Sequence, residues 1–123
     1  MNVIRNESTI WVDVDQTMVV YPKDPSDRRG TVAILNPTTD EMEYLLPHAG
    51  HIKILKQRKG RGSHITVWSA GGFAWAEAVV RALELEAYVD LICTKPHIYI
   101  DDKEAKDIMG ERVYLGIDGK YGG

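Results

Sequence analysis

Apolar residues along this chain fall into short runs divided by turn-forming stretches, and the period changes from run to run. Thr9 to Val14 is apolar nearly throughout, as expected of a central strand buried on both faces. Tyr21 to Gly30 carries two prolines, reversing charges and a closing glycine, and reads as a surface loop. Thr31 to Leu35 is a further strand candidate. Asn36-Pro37-Thr38-Thr39-Asp40 is dense in turn residues, and Met42, Tyr44 and Leu46 then alternate with other residues. The pattern predicts a β-hairpin over 31–46, with a short helix over 40–46 as the competing reading.

Pro47 is suited to open a helix over 48–59, with Ile52 and Leu55 facing inward. Lys53, Lys56, Arg58 and Lys59 crowd its later turns, where cations complement the helix dipole, and Gly60 or Gly62 ends it. Ile65 to Trp68 is a strand finishing at Ser69-Ala70-Gly71-Gly72. A helix over 73–87 presents Ala76, Val79, Val80, Leu83 and Ala87 on one face, and Glu77 and Arg81 form an i,i+4 ion pair on the other. Leu91 to Cys93 and Ile98 to Ile100 read as short strands, 102–109 as a short helix stopped by Gly110, and Val113 to Ile117 as a last strand. The tail from Asp118 is expected to fray.

Strands alternating with helices predict an α/β fold with a mostly parallel central sheet. At 123 residues the chain has the size of one domain, 1–123, with 18–47 as a loop and hairpin insertion. It is 44% apolar and 27% charged, with no run long enough to span a bilayer, so no membrane partner is expected. The first residues lack a basic stretch followed by an apolar one, and the single cysteine, Cys93, cannot form an internal disulfide. Both features favour a reducing, cytoplasmic setting. Cys93 sits among Leu91 and Ile92 and reads as a strand residue rather than a nucleophile. A net charge of −3 argues against general nucleic-acid binding. The basic run 53–61 lacks interleaved aromatics and reads as a solvated helix end. His48, His51, His64 and His97 form no metal-ligand spacing.

The chemistry concentrates at strand ends, where open α/β sheets bind ligands. Asp13 and Asp15 close the first strand, Ser69 the next core strand, and Asp101-Asp102 the stretch Ile98–Ile100. Lys95 follows Cys93-Thr94. Asp13-Val14-Asp15 is a costly pair, since two like charges repel unless a cation lies between them. A divalent metal, with one carboxylate left to act on an electrophile, is the economical reading. Taken singly, each residue also has an ordinary role. Asp101 can cap the following helix and Asp102 sit in its first turn, Ser69 can be an N-cap, and Lys95 a solvated lysine.

In order, Trp11-Val12-Asp13-Val14-Asp15-Gln16-Thr17, Ile65-Thr66-Val67-Trp68-Ser69, Thr94-Lys95-Pro96 and Tyr99-Ile100-Asp101-Asp102 resemble the four signature motifs of the haloacid dehalogenase-like (HAD) superfamily, most of whose members are Mg²⁺-dependent phosphatases. Gln16 stands where glycine is common in that family. Lys95 lies only six residues before Asp101, which makes Lys103 a second candidate for the cationic role. The resemblance implies a Rossmann-like three-layer sandwich with a small β-hairpin flap in place of a cap domain. It implies Asp13 as nucleophile forming an aspartyl-phosphate and Asp15 as general acid and base. It also implies Mg²⁺ on Asp13, the backbone carbonyl of Asp15 and Asp102, with Asp101 supporting, and phosphoryl contacts from Thr17, Ser69, Lys95 and the backbone near Ala70 and Gly71. Tyr21 and Tyr44 are candidates for leaving-group contact. The expected partner is a phosphorylated substrate, either a small molecule or a macromolecular end, and a one-sided flap leaves room for completion by a second subunit as a homo-oligomer. A nucleic-acid 3′-phosphatase and a non-catalytic HAD-fold binding domain are the alternatives.

Overall fold

The computed structural model describes residues 8–117; the tail from Asp118, expected to fray, and the first seven residues lie outside them. Three parallel strands form the main sheet, in the order β1 (Thr9–Asp13), β5 (His64–Ser69), β6 (Leu91–Thr94). Thr9 pairs with His64 and Asp13 with Trp68, while Thr66 pairs with Leu91 and Ser69 with Thr94. That register is what brings the three C-terminal ends level. A second, antiparallel sheet is built from β2 (Val19–Val20), β3 (Val32–Asn36) and β4 (Glu41–Pro47), in the order β2-β4-β3. The expected hairpin is present, running from Val32 opposite Leu45 to Asn36 opposite Glu41, and it excludes the alternative helix over 40–46. Asn36 shapes the connection by accepting Thr38 N–H on its side chain at 2.9 Å and Asp40 N–H on its carbonyl at 2.7 Å.

Helix α1 (Ala49–Gly60) follows Pro47, and α2 (Phe73–Ala82) follows the Gly71-Gly72 turn. α2 buries Trp75, Ala76, Val79 and Val80 and packs against β5, β6 and the hairpin strand β3, so it joins the two sheets. The core runs through Val14, Met18, Val19, Ile34, Leu45, Leu55, Ile65, Val67 and this face of α2. α1 is different. It buries only His51 and Leu55, so its attachment depends on specific polar contacts more than on an apolar stripe.

Five expectations need correction. α2 stops at Ala82 instead of continuing to 87. Glu84 adopts a left-handed backbone (φ 56°), which swings fully buried Leu85 into the core and leaves Ala87 exposed within a 3₁₀ turn at Glu86–Tyr88. β1 is an edge strand among the described residues, with Trp11 half exposed, and β5 takes the centre. The Ile98–Ile100 strand does not form: Ile98 and Ile100 are 83% and 99% exposed. The helix expected over 102–109 shrinks to α3 (Ala105–Ile108). The Val113–Ile117 strand is also absent, because Leu115 donates its N–H to His51 and its carbonyl faces the ring of His48, the residue that caps α1.

Chain reach explains the missing Ile98–Ile100 strand. Only residues 95–97 separate β6 from Ile98, and four residue steps span at most about 14 Å. A parallel place beside the open edge of β1 lies three strand spacings across and about three residues back down the sheet, roughly 17 Å in a straight line. While β6 pairs with β5, the same chain cannot reach it.

Candidate active site

Five of the expected residues meet at the C-terminal rim of the parallel sheet. Asp13 ends β1, and the chain then turns tightly, with Val14 O accepting N–H bonds from Thr17, Met18 and Val19 at 2.8–3.3 Å. That turn needs a left-handed residue, and Gln16 supplies it at φ 62°. Here lies a physical reason for glycine at this position in the resembled motif. Thr17 is thereby folded back, and its Oγ1 donates to Asp13 Oδ2 at 3.1 Å.

Lys95 completes the other side of Asp13. Its Nζ is 3.0 Å from Asp13 Oδ1, with both side chains about one-third exposed. Lys95 N–H donates to Ser69 O at 2.9 Å, which ties the residue after β6 to the end of β5. The Trp68 ring, 5.3 Å from Nζ, gives the ammonium a second attractive surface, and Trp11 packs edge-on against that ring at 4.5 Å. Lys103 is elsewhere: its Nζ is 3.9 Å from Asp102 Oδ2, on the surface. Of the two lysine candidates, the geometry brings only Lys95 to Asp13.

Asp15 is held from two directions. Buried Trp75 donates its indole N–H to Asp15 Oδ1 at 2.9 Å, and the Tyr21 hydroxyl donates to the same oxygen at 3.4 Å. Burial, then the charges of Asp15 and Glu43, push the Tyr21 phenol up to about 12. Ser69 is fully buried and serves the turn, since its Oγ accepts Gly71 N–H at 2.9 Å. This N–H is therefore directed inward to Ser69, while Ala70 is exposed beside it at the rim. Gly72, at φ 100° and ψ 165°, caps α2 in a conformation open essentially to glycine alone, and Thr94 Oγ1 accepts Phe73 N–H at 2.9 Å. Trp68, Trp75 and Thr94 were not singled out from the sequence. No spacing rule marks an indole one turn into a helix as a partner for a carboxylate sixty residues earlier.

Asp101 and Asp102 do not gather with Asp13 and Asp15 into a metal-holding group. Both are exposed; Asp101 Oδ1 accepts Lys103 N–H at 2.9 Å in a local turn. Among the described residues, no group of three or more acidic, histidine or cysteine side chains converges to hold a metal. Asp13 and the Asp15 backbone carbonyl, without Asp102 or Asp101 gathered beside them and with Lys95 already on Asp13, do not fit the magnesium centre that the resemblance implies.

Tyr21 and Tyr44 face one cavity of about 220 Å³, together with Pro22, Pro25, Glu43 and Leu45. Arg28 lies 3.8 Å over the Tyr44 ring and forms part of its surroundings. A larger open hollow of about 530 Å³ runs along α1 past Ile52 and Lys56 and includes no motif residue. Among the described residues no helix is long and apolar enough to cross a membrane. The chain matches no family model, no curated protein and no solved structure.

Proposed function

We propose that this chain is a phosphotransfer hydrolase that cleaves a phosphomonoester through an aspartyl-phosphate on Asp13, as a minimal HAD-like phosphatase with a Rossmann-like layered fold. The observation that carries the reading is the meeting of Asp13, Asp15, Thr17, Ser69 and Lys95 at the ends of three adjacent parallel strands, with Lys95 Nζ 3.0 Å from Asp13. Phosphoryl transfer asks for an in-line nucleophile, positive charge on the non-bridging oxygens, and a proton for the leaving oxygen. Asp13 Oδ attacks phosphorus while the bond to the leaving oxygen breaks. Lys95 and the Thr17 hydroxyl face the Asp13 carboxylate and take the transferring oxygens. Asp15, oriented by Trp75 and Tyr21, gives a proton to the leaving oxygen and then takes one from the water that hydrolyses the acyl-phosphate.

The β3–β4 hairpin acts as the flap, and the cavity between Tyr21 and Tyr44 receives the leaving group beside Asp15. The experiment is a panel of phosphorylated sugars, nucleotides, amino acids and a DNA oligomer with a 3′-phosphate, with Mg²⁺ or with EDTA. Turnover by the wild type and its loss in Asp13→Asn support the reading. If neither protein turns over any member, the non-catalytic binding domain replaces it.

A further inference from the structure

His48 and His51 take no part in the proposed chemistry, yet each of their ring nitrogens is engaged. His48 is fully buried and His51 is 7% exposed, and their rings stack at 3.8 Å with 12° between planes. Each ring nitrogen has a backbone partner. His48 Nδ1 accepts His51 N–H at 3.1 Å, and its Nε2 lies 3.0 Å from Leu115 O. His51 Nε2 accepts Leu115 N–H at 2.8 Å, and its Nδ1 lies 2.8 Å from Thr17 O.

These partners assign the protons. A nitrogen that accepts an N–H carries no hydrogen, and one that faces a carbonyl must carry it. His48 is therefore the Nε2–H tautomer, His51 the Nδ1–H tautomer, and both are neutral. Together they grip both polar groups of one peptide residue, Leu115, and the carbonyl of Thr17, whose hydroxyl rests on Asp13. The same loop is fastened twice more: His48 N–H donates to Met18 O at 2.8 Å, and Tyr114 OH donates to Gln16 O at 2.8 Å. Gly50 keeps the space clear, since a Cβ there would sit 3.3 Å from Leu115 Cδ1 and 3.4 Å from His48 Cε1.

We propose that His48 and His51 are a positioning pair that holds the 15–18 loop in its site geometry and fastens residues 114–115 to it, and that the pair works only with both rings neutral. A proton added at His51 Nε2 would meet the Leu115 N–H head on, and one added at His48 Nδ1 would meet the His51 N–H. The titratable and charged groups around the rings do little to favour a cation. They are His48 itself, Tyr114 at 5.1 Å with Arg112 stacked beyond it, and Asp13 only by way of Thr17. Burial, opposed by the Thr17 carbonyl and helped by His48, holds His51 below the ordinary histidine value.

The test uses the whole chain and three readouts. Histidine ¹H–¹⁵N correlation spectra at about pH 7.5, above the ordinary histidine pKa, should give the Nε2–H form for His48 and the Nδ1–H form for His51. Either ring found cationic or in the other tautomer overturns the assignment. Two variants then separate the contacts. Asn carries a donor near the Nδ1 position, and Gln an acceptor near the Nε2 position. His51→Asn should lose protection of the Leu115 amide from hydrogen exchange by about tenfold or more and leave kcat within about threefold. His51→Gln should keep that protection and lower kcat by about tenfold or more with KM little changed. Parallel loss of both properties in both variants makes the pair merely structural and overturns the proposal. If either variant does not fold, wild-type exchange at Leu115 decides: its protection factor, taken against the free-amide rate at each pH, must fall about tenfold per pH unit once pH drops below the range in which His51 takes up a proton, and a protection factor indifferent to pH refutes the pair. The kcat readout rests on the phosphotransfer reading; if no substrate turns over, that reading fails while the tautomer and exchange results still judge this one.

Discussion

Replacing Lys95 with methionine is the sharpest single perturbation of the proposed site. Methionine keeps the stem that passes the Trp68 ring and removes the charge 3.0 Å from Asp13 Oδ1. At that separation two unit charges interact by about 1.4 kcal/mol in bulk water and about 5.5 kcal/mol at an effective dielectric of 20. Both side chains are one-third exposed, so solvent screens them, and holding a long side chain in one rotamer offsets part of the gain. The net stability at stake is therefore about 1 kcal/mol or less. Catalysis responds differently, because charge concentrates on the transferring oxygens in the transition state and the cation is already in place. Loss of one such group costs about 10²–10³ in rate. Lys95→Met should thus lower kcat/KM on the best panel substrate by at least about 100-fold while urea denaturation shifts by no more than about 1 kcal/mol. Lys103→Met, at the exposed Asp102 pair, should stay within about twofold of wild type on both measures. Retention of kcat/KM within about fivefold in Lys95→Met, or a matching loss in Lys103→Met, refutes the assignment of the cationic role.

Three further outcomes test the architecture. Gly72→Ala forces a Cβ onto a backbone at φ 100° and should cost about 1–3 kcal/mol by chemical denaturation; a neutral result would show that this turn has another conformation. Asp90 accepts Ile65 N–H at 2.8 Å and meets Lys59 Nζ at 2.7 Å, and the backbone bond first, then Lys59, hold its carboxyl below the usual value. Its contribution is present above about pH 4 and is lost as pH falls through the lowered value, so the acid limb of wild-type stability should flatten in Asp90→Asn. Ile100→Lys should change stability by no more than about 0.5 kcal/mol, because the side chain touches nothing; a cost above about 2 kcal/mol would mean that Ile98–Ile100 is a buried strand after all.

Much of this arrangement was legible from local pattern. The Asn36–Asp40 turn signals, Pro47, and the glycine pair after Ser69 fix where β3, β4, α1, β5 and α2 begin or end, because each acts on its own few residues. Strand ends in a parallel sheet share one rim, so Asp13, Ser69 and Lys95 could be placed together without knowing any distance. The failures are of another kind. Ile98–Ile100 has strand composition, yet strand propensity is a statement about fitting a neighbour, and a three-residue connection gives it none. Leu83 and Ala87 continue the helical stripe of α2, but the core had room for Leu85, and the chain left the helix at Glu84 to reach it.

The histidines show the same limit from the side of function. Read by spacing, His48 and His51 lack a further metal ligand, and spacing offers them no other role. Their actual partners are backbone groups of Thr17 and Leu115, thirty-four and sixty-seven positions away at most, and no residue pattern encodes a carbonyl. A buried imidazole pair must satisfy four nitrogens, and α1 has too little apolar surface to hold its place alone. The two requirements are met by one arrangement: the rings anchor α1 to the 15–18 loop, and the loop and residues 114–115 satisfy the rings. Positioning of the loop beside Asp13 is therefore a consequence of how α1 is attached, so any change that neutralises the need for those four bonds should loosen helix and site together.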